Sequence, residues 1–169
     1  MSGRRKAAVV IAIFRRPPHG IVFVERAVHL RDHPGQIGLP GGGVHLEDRD
    51  LAATALRELH EEVGIAPVRA TIVGELPMLR QRRVNNFDVT PFVAVVAEGE
   101  LTIDAAETAG VFLVPLAAVL EHRAEHIVLD YEGRRIWGLT ARILESFVEE
   151  WTAGDLRARV TAELATGSL

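Results

Sequence analysis

Residues 50–64 constrain this chain more than any other stretch. Ala52, Ala55, Leu56, Leu59 and Val63 recur at the helical period and make one apolar stripe. Asp50 stands where an N-cap belongs, and Gly64 where a helix stops. On such a helix Glu58, Glu61 and Glu62 share one face, centred about a third of a turn from the stripe. The apolar side can therefore pack while the carboxylates look into a cleft. Left bare, each like-charged neighbour pair costs about 0.2–0.5 kcal/mol, and the last turn of a helix, with its partial negative charge, is a poor place for acids. A hard divalent cation, which takes oxygen ligands, reverses both penalties. For a Glu-Glu pair alone a solvated acidic face would be the better reading. Here the run Leu39-Pro40-Gly41-Gly42-Gly43 lies just upstream, and glycine lets a backbone approach a ligand closely. A glycine turn feeding a helix that ends in clustered acids favours a cation site.

The segment Arg57-Glu58-Leu59-His60-Glu61-Glu62-Val63-Gly64-Ile65 resembles the second half of the Nudix box, G-x5-E-x7-R-E-U-x-E-E-x-G-U, at every constrained position. The first half departs from it. Counting back from Arg57, the box glycine falls on Gly43 but the box glutamate falls on Arg49, with Glu47 and Asp48 as the nearest acids. The link from the glycine run to Arg57 thus carries one extra residue. A second stretch, Val22-Phe23-Val24-Glu25-Arg26-Ala27 followed by Arg31, Gly35 and Leu39-Pro40-Gly41-Gly42, resembles the signature of the coenzyme A pyrophosphatase subgroup, L-L-T-x-R-S-x3-R-x3-G-x3-F-P-G-G. Its spacing is kept, with Val24, Ala27 and Leu39 where Thr, Ser and Phe are usual, and His33 and Gln36 also look like that subgroup. Residues Arg135 to Arg142 resemble the segment that opens the C-terminal helix of these enzymes, so the resemblance runs from about Ala7 to about Glu150.

The resemblance implies an α/β fold, a Nudix-type α/β/α sandwich with a mixed β-sheet, and divalent-cation-dependent hydrolysis of a diphosphate bond. Mg²⁺ or Mn²⁺ is the implied cofactor. Glu61 and Glu62 are then the main metal ligands, Glu58 is a third ligand or the base that orients water, and the Gly41 carbonyl is a backbone ligand. Arg57, which points away from the cluster on a helical wheel, is implied to be structural, pairing with acids of the glycine loop. Coenzyme A adds a ribose 3′-phosphate to its diphosphate, and the subgroup signature supplies Arg26, Arg31 and His33 as candidates to read it. Arg80, Arg82 and Arg83 form a second basic cluster, better read as a solvated loop. Glu107 stands where some Nudix enzymes bring a loop acid to the metal, although exposure to solvent is the simpler expectation. The expected substrate is coenzyme A or a derivative, giving 4′-phosphopantetheine and adenosine 3′,5′-bisphosphate. ADP-ribose or a nucleoside triphosphate is the alternative, and a non-catalytic Nudix-like binding module is disfavoured by the intact glutamates.

Composition narrows the remaining classes. With 169 residues the chain fits one domain with a substantial core. A net charge of −4 argues against a nucleic-acid partner. There is no cysteine, hence no disulfide or thiol chemistry. Arg4-Arg5-Lys6 before Ala7 to Phe14 mimics a short signal peptide, but Arg15-Arg16-Pro17-Pro18 follows instead of small residues. No run approaches the ~20 apolar residues of a membrane span. A cytoplasmic enzyme, as monomer or homodimer, is expected.

Along the chain, strands are expected at Ala7 to Phe14, Ile21 to Glu25, Thr71 to Glu75, Phe87 to Val96 and Val111 to Val114. A short helix at Leu116 to Glu121, a hairpin turning at Glu132-Gly133, and helices at Leu139 to Trp151 and Leu156 to Leu164 complete the pattern. His29, His45 and His60 lack the spacing of a zinc site. His122 and His126 have i, i+4 spacing, but the helix should end near His122. Trp137 reads most simply as core.

Overall fold

In the computed structural model, which describes residues 3–81, 86–122 and 128–167, strand β1 (Arg5–Phe14) is the element around which the rest assembles. It is apolar on both sides, as a strand covered on both faces must be. Ala8, Val10, Ala12 and Phe14 enter one core, and Ile11 and Ile13 the other. Strand β7 (Phe87–Val96) runs parallel to β1 along its whole length, from Arg5 opposite Phe87 to Phe14 opposite Val96. The opposite side of β1 is divided. Its C-terminal part pairs antiparallel with β2 (Gly20–Arg26), and its N-terminal part with β4 (Gly41–Gly43), which brings the glycine run into the sheet. Strand β3 (Ile37–Gly38) and strand β8 (Thr108–Pro115) pair with β2, while β5 (Ala70–Glu75) and β6 (Leu79–Arg80) pair with β7.

Helix α1 (Leu51–Val63) covers one face of this eight-stranded mixed sheet, with Ala55, Leu59 and Val63 fully buried against β1. The other face carries α2 (Leu116–Glu121), the hairpin β9 (Val128–Tyr131) and β10 (Arg134–Trp137), α3 (Gly138–Ala153) and α4 (Leu156–Ala165). Val119, Ile136, Ile143, Phe147, Leu156 and Val160 share a core there with Ile11, Ile13 and Phe23. Each large side chain so buried stabilises the fold by about 1.5–3 kcal/mol. The result is the expected α/β/α sandwich with a mixed sheet.

Three short strands, β3, β4 and β6, were not expected, because segments of two or three residues carry no period and are strands only through their neighbours. Strand β8 begins earlier than expected, since Thr108 already pairs with Arg26. The placement of Trp137 in the core is overturned: it is 51% exposed. Alternation along β10 commits Ile136 to the core and turns Arg135 and Trp137 outward. Helix α2 ends at His122 as expected. His126, Arg82 and Arg83 lie outside the described residues.

Both ends of α1 are as the sequence predicts. The Asp50 side chain accepts from the Ala53 N–H at 2.7 Å, and Gly64, at φ 74°, donates its N–H to the His60 carbonyl at 2.9 Å. Between β4 and α1, Asp48 fastens the link to the helix. It accepts from Arg57 Nε at 2.9 Å and Nη2 at 3.0 Å, from the His45 N–H at 2.9 Å and from the Thr54 hydroxyl at 2.9 Å. Asp48, one residue further back than the box pattern has its glutamate, is therefore the acid that meets Arg57, while Glu47 is exposed. These donors, Arg57 first, hold the Asp48 carboxyl below the usual carboxylate range against the opposing effect of burial.

The stability this contributes is complete above the ordinary aspartate range, about pH 4, and is lost as pH falls toward the depressed folded value. Asp48→Asn should therefore cost about 1.5–3 kcal/mol at neutral pH, and the difference from the parent protein should shrink below about pH 4. Urea midpoints measured across pH test both statements; a pH-independent difference would contradict the second.

Candidate active site

Successive turns of α1 present Thr54, Glu58 and Glu62 to β4 and its surroundings, and all three are buried. The glycine run is what makes room for them. A methyl group on Gly42 would fall on the Glu58 carboxylate, and one on Gly41 would lie 2.5 Å from the Ala8 carbonyl oxygen. Gly41 and Gly42 of β4 thus sit where no side chain could be accommodated.

Arg57 departs from its expected position. Its Cα direction leads away from the acids, yet the long side chain folds back so that Nη1 donates to Glu58 Oε1 at 2.9 Å and to Glu61 Oε2 at 3.0 Å. Nη2 also donates to the Gly43 carbonyl at 2.9 Å. One guanidinium therefore joins the loop acid, the glycine strand and two of the helix carboxylates, with the fork geometry that suits arginine to such a place. The expected pairing with an acid of the glycine loop is present as well.

The carboxylates differ in surroundings. Burial pushes the Glu58 carboxyl up, with Arg57 opposing and the charges of Glu61 and Glu107 adding to the rise. Burial pushes the Glu62 carboxyl further, to about 8; the Glu58 and Glu107 charges act in the same direction, and the Gly41 N–H and Arg26 act against it. Its Oε2 is buried and accepts no hydrogen bond. Glu61 is half-exposed and rests on Arg57.

Among the described residues, no three His, Cys, Asp or Glu side chains converge as a ready-made ligand set, Glu61 being turned toward Arg57. The donor chemistry nevertheless fits a hard cation. A buried carboxylate oxygen without a donor is costly to leave unpaired, and an all-oxygen environment of glutamates beside a backbone segment is what Mg²⁺-like ions take.

The sequence-derived candidates separate into two groups. Glu58, Glu62, Gly41 and Arg26 come together, and Glu61 stands at their rim. Arg31 is exposed, and His33, at φ 54°, shapes the turn before Gly35; neither contacts the carboxylates. Arg26 is partly spent within that same turn, donating to the Asp32 carbonyl at 3.2 Å. Arg80 is exposed on β6, opposite Asp88. Glu107 is solvent-exposed as expected, yet near enough to raise both Glu58 and Glu62, and its carbonyl accepts from the Ala27 N–H at 3.0 Å. Asp48 was visible only as one of two nearby acids, and nothing in a one-dimensional pattern could choose between them.

Comparison with known proteins agrees with this architecture. The NUDIX domain model matches residues 3–131. The Nudix hydrolases NudL of Salmonella paratyphi B and Salmonella newport are each 38% identical over 156 residues, covering 83% of this chain and 80% of the relative. Among solved structures, a MutT/nudix family protein from Enterococcus faecalis superposes with TM-score 0.68 at 14% identity, over 95% of this chain and 68% of that one. The NUDIX domain of Shewanella oneidensis NrtR, complexed with ADP ribose, superposes with TM-score 0.63 at 19% identity, over 89% and 90%. At such identities the two structures speak for the fold alone. The family match and the 38% relatives go further: this chain belongs to the Nudix family, whose hydrolases are in general dependent on a divalent metal.

Proposed function

We propose that this protein is a pyrophosphohydrolase of coenzyme A or its derivatives, releasing 4′-phosphopantetheine and adenosine 3′,5′-bisphosphate, with the whole chain acting as one domain. The buried Glu62 carboxylate, its Oε2 unpartnered beside Glu58 and Gly41, carries the catalytic part of this reading. The subgroup signature at residues 22–42 carries the choice of substrate, and the NudL relatives support the reaction class. One observation favours a second reading, ADP-ribose, because that is the ligand of the Shewanella NUDIX domain.

Glu61, Glu62, Glu58 and the Gly41 carbonyl would hold Mg²⁺ or Mn²⁺. When bound there, such an ion would neutralise the diphosphate oxygens, which otherwise repel an incoming nucleophile. The chain's own residues do the rest. In the reaction a water oxygen bonds to phosphorus, the bond to the bridging oxygen breaks, and the water gives up a proton. Glu58 is the acceptor for that proton: burial raises its basicity, and Arg57 fixes its orientation. Arg26 lends positive charge near Glu62. Strand β4, with no side chains, leaves the approach to the carboxylates open.

Glu61→Gln and Glu62→Gln should each lower turnover by about a hundredfold or more, since a neutral amide is a poor substitute for an anionic ligand. Circular dichroism should show the fold retained, and near-native turnover with Mg²⁺ dependence intact in either variant would remove that residue from the site.

Glu58→Gln should reduce kcat far more than it changes KM, because a proton acceptor acts in the transition state. Glu107→Gln is the comparison. A larger kcat loss there would transfer the base to the loop acid.

Coenzyme A and its 3′-dephospho form differ by one phosphate. A charge-assisted contact to it, worth about 1.5–3 kcal/mol, gives a preference of roughly ten- to a hundredfold in kcat/KM. Arg26→Ala or Arg31→Ala should narrow it. Equal rates on both compounds, or faster cleavage of ADP-ribose, would favour the second reading.

A further inference from the structure

On the sheet face opposite α1, a concavity of about 440 Å³ is lined by Val128, Arg135, Trp137 and Gly138. Its size lies within the range of small-molecule sites. Two of its side chains are ones that a protein seldom leaves idle. Trp137 is 51% exposed and stacks on no other ring among the described residues. Arg135 is exposed and has no hydrogen bond or ion pair there, although Asp130 stands opposite it across the hairpin. Its neighbour Arg134, by contrast, is committed, lying over the Phe112 ring and pairing with Glu132. Strand alternation puts Arg135 and Trp137 side by side on one face, held from beneath by the fully buried Ile136.

This platform stands next to the segment that forms the catalytic wall. A methyl group on Gly38 would lie 3.7 Å from the Thr140 hydroxyl, two residues beyond Gly138. From Gly38 to Gly41 the chain spans three residues, at most about 10–11 Å. The glutamates thus lie on one side of residues 37–43, and the Trp137 concavity on the other. A ligand whose diphosphate sits at Glu58 and Glu62 can reach across these small residues with its nucleoside.

We infer that Trp137 is the stacking surface for the purine ring of the substrate, with Arg135 adding its positive charge to that of Arg26 and Arg31 at the phosphorylated ribose. An indole face suits a purine because both are flat π-systems, and an adjacent guanidinium suits a phosphate. This inference rests on the proposed diphosphate-cleaving reading but not on coenzyme A as such.

The test uses Mg²⁺-supplemented protein carrying Trp151→Phe, which leaves Trp137 as the sole tryptophan, and titrates it with adenosine 3′,5′-bisphosphate, AMP and 4′-phosphopantetheine. The two adenine nucleotides should quench Trp137 emission saturably, and 4′-phosphopantetheine should not. By calorimetry in the native background, Trp137→Ala should weaken adenosine 3′,5′-bisphosphate by about tenfold or more, Trp137→Phe should restore most of the loss, and Arg135→Ala should weaken the bisphosphate more than adenosine. In turnover assays Trp137→Ala should raise KM far more than it lowers kcat. Emission unmoved by either nucleotide, or quenched by 4′-phosphopantetheine instead, overturns the assignment. The two proposals can fail separately. Coenzyme A cleaved with an unchanged KM in Trp137→Ala removes the platform alone, whereas nucleotide quenching without any cleavage of coenzyme A removes the substrate reading alone.

Discussion

The contact on which the rest of the site depends is the guanidinium of Arg57. Helix α1 brings Glu58 and Glu62 under cover, and covered carboxylates close together resist ionisation. Arg57 supplies the balancing charge to Glu58 while being balanced in turn by Asp48, so the cation is neither lost to solvent nor left without a partner. Its remaining donor binds the Gly43 carbonyl, which ties the backbone of β4 to the same point. Removing this side chain would therefore do more than delete one ion pair. It would release the link, the glycine strand and the orientation of Glu58 together, since contacts made through a shared group do not behave as independent terms.

Glu62 has been treated differently by the fold. Where Asp48 collects four hydrogen bonds, Glu62 is buried beside acids with one oxygen unpartnered. The two carboxyls are displaced in opposite directions for that reason, one downward by its donors and the other upward by desolvation. A residue that breaks the ordinary rule for buried polar groups, inside a chain that otherwise observes its caps and periods, marks the place where binding has been favoured over stability.

Much of this was legible in the sequence. The helix and both its caps followed from Asp50, the apolar stripe and Gly64, and the central strands from their uninterrupted hydrophobic runs. That Glu58, Glu61 and Glu62 share a helix face followed from spacing alone, whereas the turn of Glu61 toward Arg57 did not. The rest depended on tertiary contact. No period announces β4, because three glycines become a strand only when β1 lies beside them. Arg57 was misplaced by a wheel that tracks Cα directions, whereas its six-bond side chain reaches well past its own face. Arg31 and His33 match a signature, yet they lie on a turn whose path short-range patterns do not specify. Trp137 reads most simply as core in the sequence, whereas the two-residue alternation of β10 and the burial of Ile136 decide its side.

The division of β1 between three partners has a consequence for how the chain comes to its shape. Its parallel companion begins only at Phe87, so the pairing that completes the middle of the sheet joins segments far apart in sequence. Local elements such as α1 and the β9–β10 hairpin can form early, but closing so long a loop is slow on entropic grounds. During synthesis β1 must therefore wait, apolar on both faces, until the ribosome has delivered residues beyond Val96. In that interval it is the segment most in need of protection from association with other chains.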